Sequence, residues 1–293
     1  FTPFLFFKHK CIFLSKSDEQ TMEDTIRLEK PSFLAHQRVD RWWVEPLLVF
    51  LGLSAFIVYA TWAAFQASHY YTISYLSPFY SPLVFVKSGV AGGAPLWHSL
   101  LGEWPSWWPS FLPASPALLI LIFPGLFRFT CYYYRGAYYK AFAGSPPACA
   151  VGAAPQKSYR GETFLLIFQN LHRYALYVAI LYLLILGADA VAAFVHEGSF
   201  GFGVGTIVLI INPILLGLYT LGCHSFRHLV GGRKDCFSCA GAGKINGVYQ
   251  KVSWMNRNHK LFAWLSLFWV GFTDVYVRFV SMGIITDWNT WGI

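Results

Sequence analysis

Five stretches of this 293-residue chain are each about 20 residues long and predominantly apolar, the length a helix needs to cross a bilayer. They run from Pro46 to Phe65, Pro116 to about Tyr134, Glu162 to Ala188, Gly203 to about Leu229, and Leu261 to Met282. Inside lipid every backbone N–H and C=O must be paired within its own segment, so each stretch is expected to be a helix. Composition agrees. Only 12% of residues are charged and 56% are hydrophobic, whereas about a quarter of a soluble domain is charged. The expected fold class is therefore an all-α membrane protein. Residues 38–293 would form a bundle of five transmembrane helices, preceded by a tail over 1–37. Pro46 falls in the tolerated first turn of its helix. Pro124–Gly125 is expected to kink the second span, and Pro213 lies inside the fourth.

The net charge of +8 is unevenly placed. Arg135, Lys140, Lys157 and Arg160 lie between spans two and three. Arg227, Arg233, Lys234, Lys244, Lys251, Arg257 and Lys260 lie between the end of span four and the start of span five. The opposite side carries Lys87, beside Glu103, Asp189, Glu197 and Asp287. The positive-inside rule then puts the N-terminus in the cytoplasm and the C-terminus outside. It also explains the basic balance without a nucleic-acid partner. The expected protein is multi-pass, with its basic loops on the cytoplasmic side. The loop from Gln66 to Ser115, after the first helix, is long, aromatic and poor in charge, and is expected to fold back over the outer face as an ordered cap. Residues 1–21 are apolar and basic, with no small-residue cleavage site after them. Met22 opens a more ordinary start, so 1–21 read as upstream translation or a loosely ordered tail, and Cys11 receives no role.

Soft ligand-type residues gather on the basic side: Cys131 at the inner end of span two, Cys149 in the Pro-Pro turn after it, His172 in span three, and Cys223, His224 and His228 near the end of span four. His224 and His228, four apart, share a helix face. On a continuous helix Cys223 points about 100° from His224, and the expected role of Cys223 is that of an apolar filler. Thiolates with imidazoles can hold a Rieske-type [2Fe–2S] cluster, with two Cys on one iron and two His on the other. Zinc accepts the same ligands but carries no electrons. Haem b is the other redox reading, with His172 facing His224 or His228. His69 and His98 lie on the outer side, poorly spaced for a second haem. Cys236-x-x-Cys239 is half a zinc knuckle with no second pair. Asp274 inside span five has Arg278 four residues on, a spacing at which the two neutralise each other on one face.

Several motifs then carry a resemblance. DRWWVEP (Asp40 to Pro46), YLSPFYSP (Tyr75 to Pro82), FRFTCYYYRGAYYKAF, SPPACAV, QNLHRY (Gln169 to Tyr174) and CHSFRH (Cys223 to His228) resemble the membrane subunit of the type F succinate dehydrogenases, over about residues 38–280. The resemblance implies a respiratory complex II of the tricarboxylic acid cycle, in the inner (cytoplasmic) membrane of a prokaryotic cell. A flavoprotein subunit oxidises succinate, an iron–sulfur subunit relays electrons, and this chain anchors both at the cytoplasmic face and passes electrons to quinone, either menaquinone or ubiquinone. It also implies a Rieske-type [2Fe–2S] cluster in the membrane subunit. Cys131, Cys149, His172, His224 and His228 stand in the matching motifs. Cys131 and Cys149 are the expected thiolate pair and His172 with His224 the imidazole pair, His228 being the rival. The family's last motif reads Cys-His-Ser-Cys-Arg-His, and here Phe226 replaces its second cysteine; if that cysteine is an obligatory ligand, this chain lacks the cluster or recruits Cys236 or Cys239 in its place.

By depth, Tyr133, Tyr134, Arg135 and Arg173 are expected donors to a quinone, with Trp42 and Trp43 as walls. The competing readings are a haem b anchor of a succinate dehydrogenase or fumarate reductase, and a non-redox transporter or scaffold. Transporters commonly pair broken helices in inverted halves, and five spans do not divide evenly. No flavin or dicarboxylate site is visible in the sequence, so succinate oxidation itself is expected elsewhere.

Overall fold

The computed structural model describes residues 32–155, 161–232, 236 and 243–292. Residues 1–31, with Cys11 and Met22, lie outside them, as do Lys157, Arg160, Arg233, Lys234 and Cys239.

Helix α1 spans Val44–Gln66 and ends at Ala67, whose φ of 52° is left-handed. At 1.5 Å per residue its 23 residues cover about 35 Å, enough for a hydrocarbon core of about 30 Å. The second apolar stretch folds as α2 (Pro116–Ile120) and α3 (Ile122–Thr130). Helix α4 (Tyr132–Ala141) follows after a bend of 79°. Helix α5 spans Gly161–Ala192, α6 Val204–Leu221, α7 His224–Gly231, α8 Gly243–Arg257 and α9 His259–Ser281. Four helices are long and apolar enough to cross a membrane among the described residues, and a fifth crossing arises where the bent pair counts as one. The protein is a multi-pass, mainly helical membrane protein. Helix α9 packs chiefly on α6, and α5 lies against α3 and α6.

Two expected spans end early. The second span stops at Thr130 instead of Tyr134, and the fourth stops at Leu221 instead of Leu229. In both, the residues past the break are amphipathic. YYYRGAYYKA and HSFRHLVG carry tyrosine, arginine and histidine, side chains that favour the membrane–water boundary. The chain therefore turns at that boundary and does not continue along the span. Pro124 also acts differently from expected: it lies within α3, and the discontinuity falls just before that helix, at Leu121. Proline has no N–H for the carbonyl four residues back, that of Ile120. Tyr182 on α5 donates its hydroxyl to that carbonyl at 3.2 Å.

The segment between α1 and α2 is an ordered cap. It holds a two-stranded hairpin, β1 (Tyr71–Thr72) and β2 (Tyr75–Leu76), with Tyr71 opposite Leu76 and Thr72 opposite Tyr75. Tyr70, Phe79, Tyr80, Leu83 and Val86 bury against Ala63, Ala64 and Ala117 at the ends of α1 and α2. Tyr80 stacks on Tyr70 at 4.3 Å and donates to the Ala63 carbonyl. A small hairpin, β3 (Val195–His196) and β4 (Ser199–Phe200), links α5 to α6. Gly205 sits under the Tyr75 ring, where an added Cβ would lie 2.4 Å from a ring carbon. Three carboxylates tie this end together. Asp287 accepts from Tyr75, Tyr276 and the Gly205 N–H, and Asp189 accepts from Ser81. Asp274, fully buried, pairs with Arg278 at 3.3 Å and accepts from Tyr59 and Ser77. The expected Asp274–Arg278 pair is thus present and fastens the cap to α9.

Candidate functional site

At the other end the two short spans leave room. Helices α3 and α6 both stop short, and a cavity of about 1810 Å³ opens there among α1, α4, α5, α7 and the α8–α9 junction. Its wall includes all five expected ligand residues, Cys131, Cys149, His172, His224 and His228, together with Cys223 and His259.

Burial divides them. Cys131 and Cys223 are 2% and 1% exposed, and His172 and His259 are buried at 6% and 9%. Cys149, His224 and His228 are exposed at the rim. The backbone explains the cysteines. Each sits at a helix break in extended conformation, Cys131 at φ −60°, ψ 133° and Cys223 at φ −71°, ψ 154°, and each begins the next short helix. Cys223 Sγ accepts from the Phe226 N–H at 3.2 Å. Burial pushes its thiol up to about 12, the Phe226 N–H pulls it back in part, and nearby Cys131 raises it further. A continuous helix through 229 would have turned Cys223 away. The break at Gly222 aims it inward, beside Cys131 in one aromatic core. Gly222 is small by necessity, because a Cβ there would lie 2.6 Å from the Leu218 carbonyl and 3.1 Å from Met255.

The imidazoles are held by their surroundings. Thr130 donates its hydroxyl to the Leu126 carbonyl at 2.8 Å, so its oxygen is the acceptor toward His172 Nδ1 at 3.0 Å. That network assigns the proton to Nδ1 and leaves Nε2 with a free lone pair. Phe127 stacks on the His172 ring at 4.6 Å. His259 stacks on Tyr219 at 4.9 Å, and its Nε2 lies 3.5 Å from Cys131 Sγ. Its Nδ1 and the Tyr219 hydroxyl are buried with no hydrogen-bond partner of their own, which costs about 1–3 kcal/mol each unless something occupies the site. His259 opens α9, two residues before the expected start of span five, and is not among the expected ligand residues. The usable signal was a histidine directly at the mouth of an apolar run.

Cys149 is kept at the rim by an N-terminal strap. Leu34 N–H donates to Gly152, Gly152 N–H to Ala35, and Arg38 Nη1 to the Cys149 carbonyl at 2.9 Å. Arg38 also pairs with Asp40. Cys236, in the loop before α8, is disulfide-bonded. Among the expected quinone contacts, Trp42, Tyr133, Arg135 and Arg173 line the cavity. Trp43 does not, and is half exposed. Tyr134 does not either. It is buried, donates to the Ala263 carbonyl and accepts from Arg128. Arg135 is 6% exposed and its Nη1 has no partner.

A sequence profile described as actinobacterial succinate dehydrogenase subunit SdhC matches residues 44–283. The chain belongs to that family. SdhC is a membrane subunit of succinate dehydrogenase, respiratory complex II, so the chain works as part of an oxidoreductase whose succinate-oxidising site lies outside it. Among solved structures, the chain is similar to one in the Mycobacterium smegmatis Sdh1 complex in the apo form. The two are 44% identical with a TM-score of 0.77, over 89% of this chain and 96% of that one. No curated protein sequence matches. The expectation of a succinate dehydrogenase membrane subunit is borne out, and the transporter or scaffold reading falls with it.

Proposed function

We propose that this chain passes electrons to quinone through a Rieske-type [2Fe–2S] cluster held at the base of the cavity by Cys131, Cys223, His172 and His259. The carrying observation is that these four donors are buried together, whereas Cys149, His224 and His228 are exposed. No three His, Cys, Asp or Glu side chains converge as a single-ion site among the described residues. A two-iron cluster takes only two protein ligands per iron, so paired donors are the pattern it requires. The donor chemistry fits: a buried thiol becomes a thiolate only when a metal compensates it, and His172 offers a free Nε2. When bound, such a cluster carries single electrons, at a potential raised by its imidazole ligands.

The rest of the cavity belongs to the quinone. Arg135 offers an unpaired N–H. Tyr133 accepts from Trp264 Nε1 at 2.7 Å and keeps its own proton to donate. Arg173 and His228 extend the polar lining and Trp42 supplies an aromatic wall. The flavoprotein and iron–sulfur subunits dock over this mouth, which faces the cytoplasm of a prokaryotic inner membrane. In this orientation residues 32–43, before α1, lie on that side, and residues 282–292, after α9, on the other. Arg41, Lys140, Arg173, Arg257 and Lys260 around the mouth support that orientation. Haem b on His172 with His224 or His228 is disfavoured by the exposure of both partners on α7.

Iron and acid-labile sulfide counted in the purified complex test the ligand set. Cys131→Ser and Cys223→Ser should each lose one cluster's iron, and Cys149→Ser should keep it. Retention of that iron in Cys223→Ser would reject the assignment.

A further inference from the structure

Among the described residues, Arg128 in α3 and Arg278 in α9 lie in membrane-crossing helices with their side chains turned into the protein. Arg278 is neutralised by Asp274. Arg128, in the last turn of α3, has no carboxylate within 4.0 Å among the described residues. Its guanidinium is engaged with neutral groups. It donates to the Tyr134 hydroxyl at 2.7 Å, the Ala263 carbonyl at 3.2 Å and Ser266 Oγ at 3.0 Å, and lies 4.6 Å from the centre of the Tyr219 ring. Tyr219 in turn stacks on His259. Intramembrane charges are costly and almost always paired. The dipole at the C-terminus of α3 offsets part of the charge without cancelling it. A fixed cation held rigidly one ring away from a proposed cluster ligand calls for a negative charge delivered by the site itself.

We propose that Arg128 is the fixed counter-charge for the electron stored at this site, and that it raises the site's midpoint potential. The inference rests on the cluster reading above. Two ferric ions, two sulfides, two thiolates and two neutral imidazoles carry no net charge. One electron, supplied by the partner iron–sulfur subunit, leaves the cluster with a single negative charge, which Arg128 attracts across a poorly screened interior. Loss of that electron to quinone restores the starting charge. Arg128 touches neither the ligands' donor atoms nor the quinone cavity and acts through its field alone.

The experiment is a potentiometric titration of the whole purified complex, followed through the cluster's own paramagnetic signal. Arg128→Gln should lower the ratio of reduced to oxidised cluster at fixed potential by tenfold or more, a fall of about 59 mV for one electron. Ser266→Asp, which places a carboxylate on Arg128 and neutralises it where it stands, should lower the potential in the same direction. This variant decides the matter if Arg128→Gln does not assemble. Arg128→Lys and the uncharged Ser266→Asn should leave the potential near that of the unsubstituted complex. A present signal whose potential does not move in Ser266→Asp overturns the role of Arg128 alone. An absent signal in the unsubstituted complex overturns the cluster reading and this inference with it.

Discussion

Replacing Asp274 with alanine should destabilise the protein severely. The carboxylate is fully buried and Arg278 is 1% exposed. Removing one partner of such a pair leaves an uncompensated charge and costs about 3–5 kcal/mol. Tyr59, at 2.5 Å, and Ser77 lose their acceptor at the same time, adding about 1–3 kcal/mol for each hydroxyl that finds no replacement. Arg278 keeps the Ser68 carbonyl at 2.8 Å and the face of Trp62, but no carboxylate. Relaxation recovers part of this, so the expected loss is about 5 kcal/mol, which on the scale of a large domain lowers Tm by roughly 10–20 °C. The assay is thermal unfolding of the detergent-purified complex by tryptophan fluorescence, with the double variant Asp274→Leu, Arg278→Met alongside. Because the double variant leaves no orphan charge, it should be more stable than Asp274→Ala alone. A loss within about 0.5 kcal/mol for Asp274→Ala, the range of ordinary surface changes, would refute the view that this pair fastens the cap to α9.

Tyr182→Phe removes the hydroxyl that satisfies the carbonyl released by Pro124, and unfolding should show a loss of about 1 kcal/mol. Gly222→Ala puts a methyl against Leu218 and Met255, so it should cost about 1–3 kcal/mol and reduce the iron held at Cys223. Arg135→Gln should raise the KM for quinone roughly 10- to 100-fold if it removes a charged hydrogen bond of about 1.5–3 kcal/mol. Arg173→Gln should also weaken quinone reduction. In both variants succinate oxidation by an artificial acceptor should stay intact, which separates quinone binding from the partner subunits' chemistry.

The spans were legible because apolar runs of bilayer length have few other outcomes, and the cap because aromatic residues without charge must bury somewhere. The helix breaks were not. Neither Thr130–Cys131 nor Gly222–Cys223 contains a proline, and Gly222 alone hinted at one of them. The breaks come from the amphipathic stretches beyond, which lie down at the boundary, a competition that no local propensity records. The direction of Cys223 changes for the same reason, since the helix that would set it ends two residues earlier. Cys149 was placed by its motif, yet its exposure depends on Arg38, more than a hundred residues away in sequence. His259 lay outside the expected span by two residues, and only the fold brings it against Cys131.

The most direct test of the membrane cluster is the low-temperature electron paramagnetic resonance spectrum of the reduced whole complex, with and without His259→Ala. Expected is a Rieske-type signal beyond those of the iron–sulfur subunit, absent in His259→Ala while the other signals persist. A spectrum fully explained by the iron–sulfur subunit, or an unchanged Rieske-type signal in His259→Ala, would contradict a cluster held by these four residues.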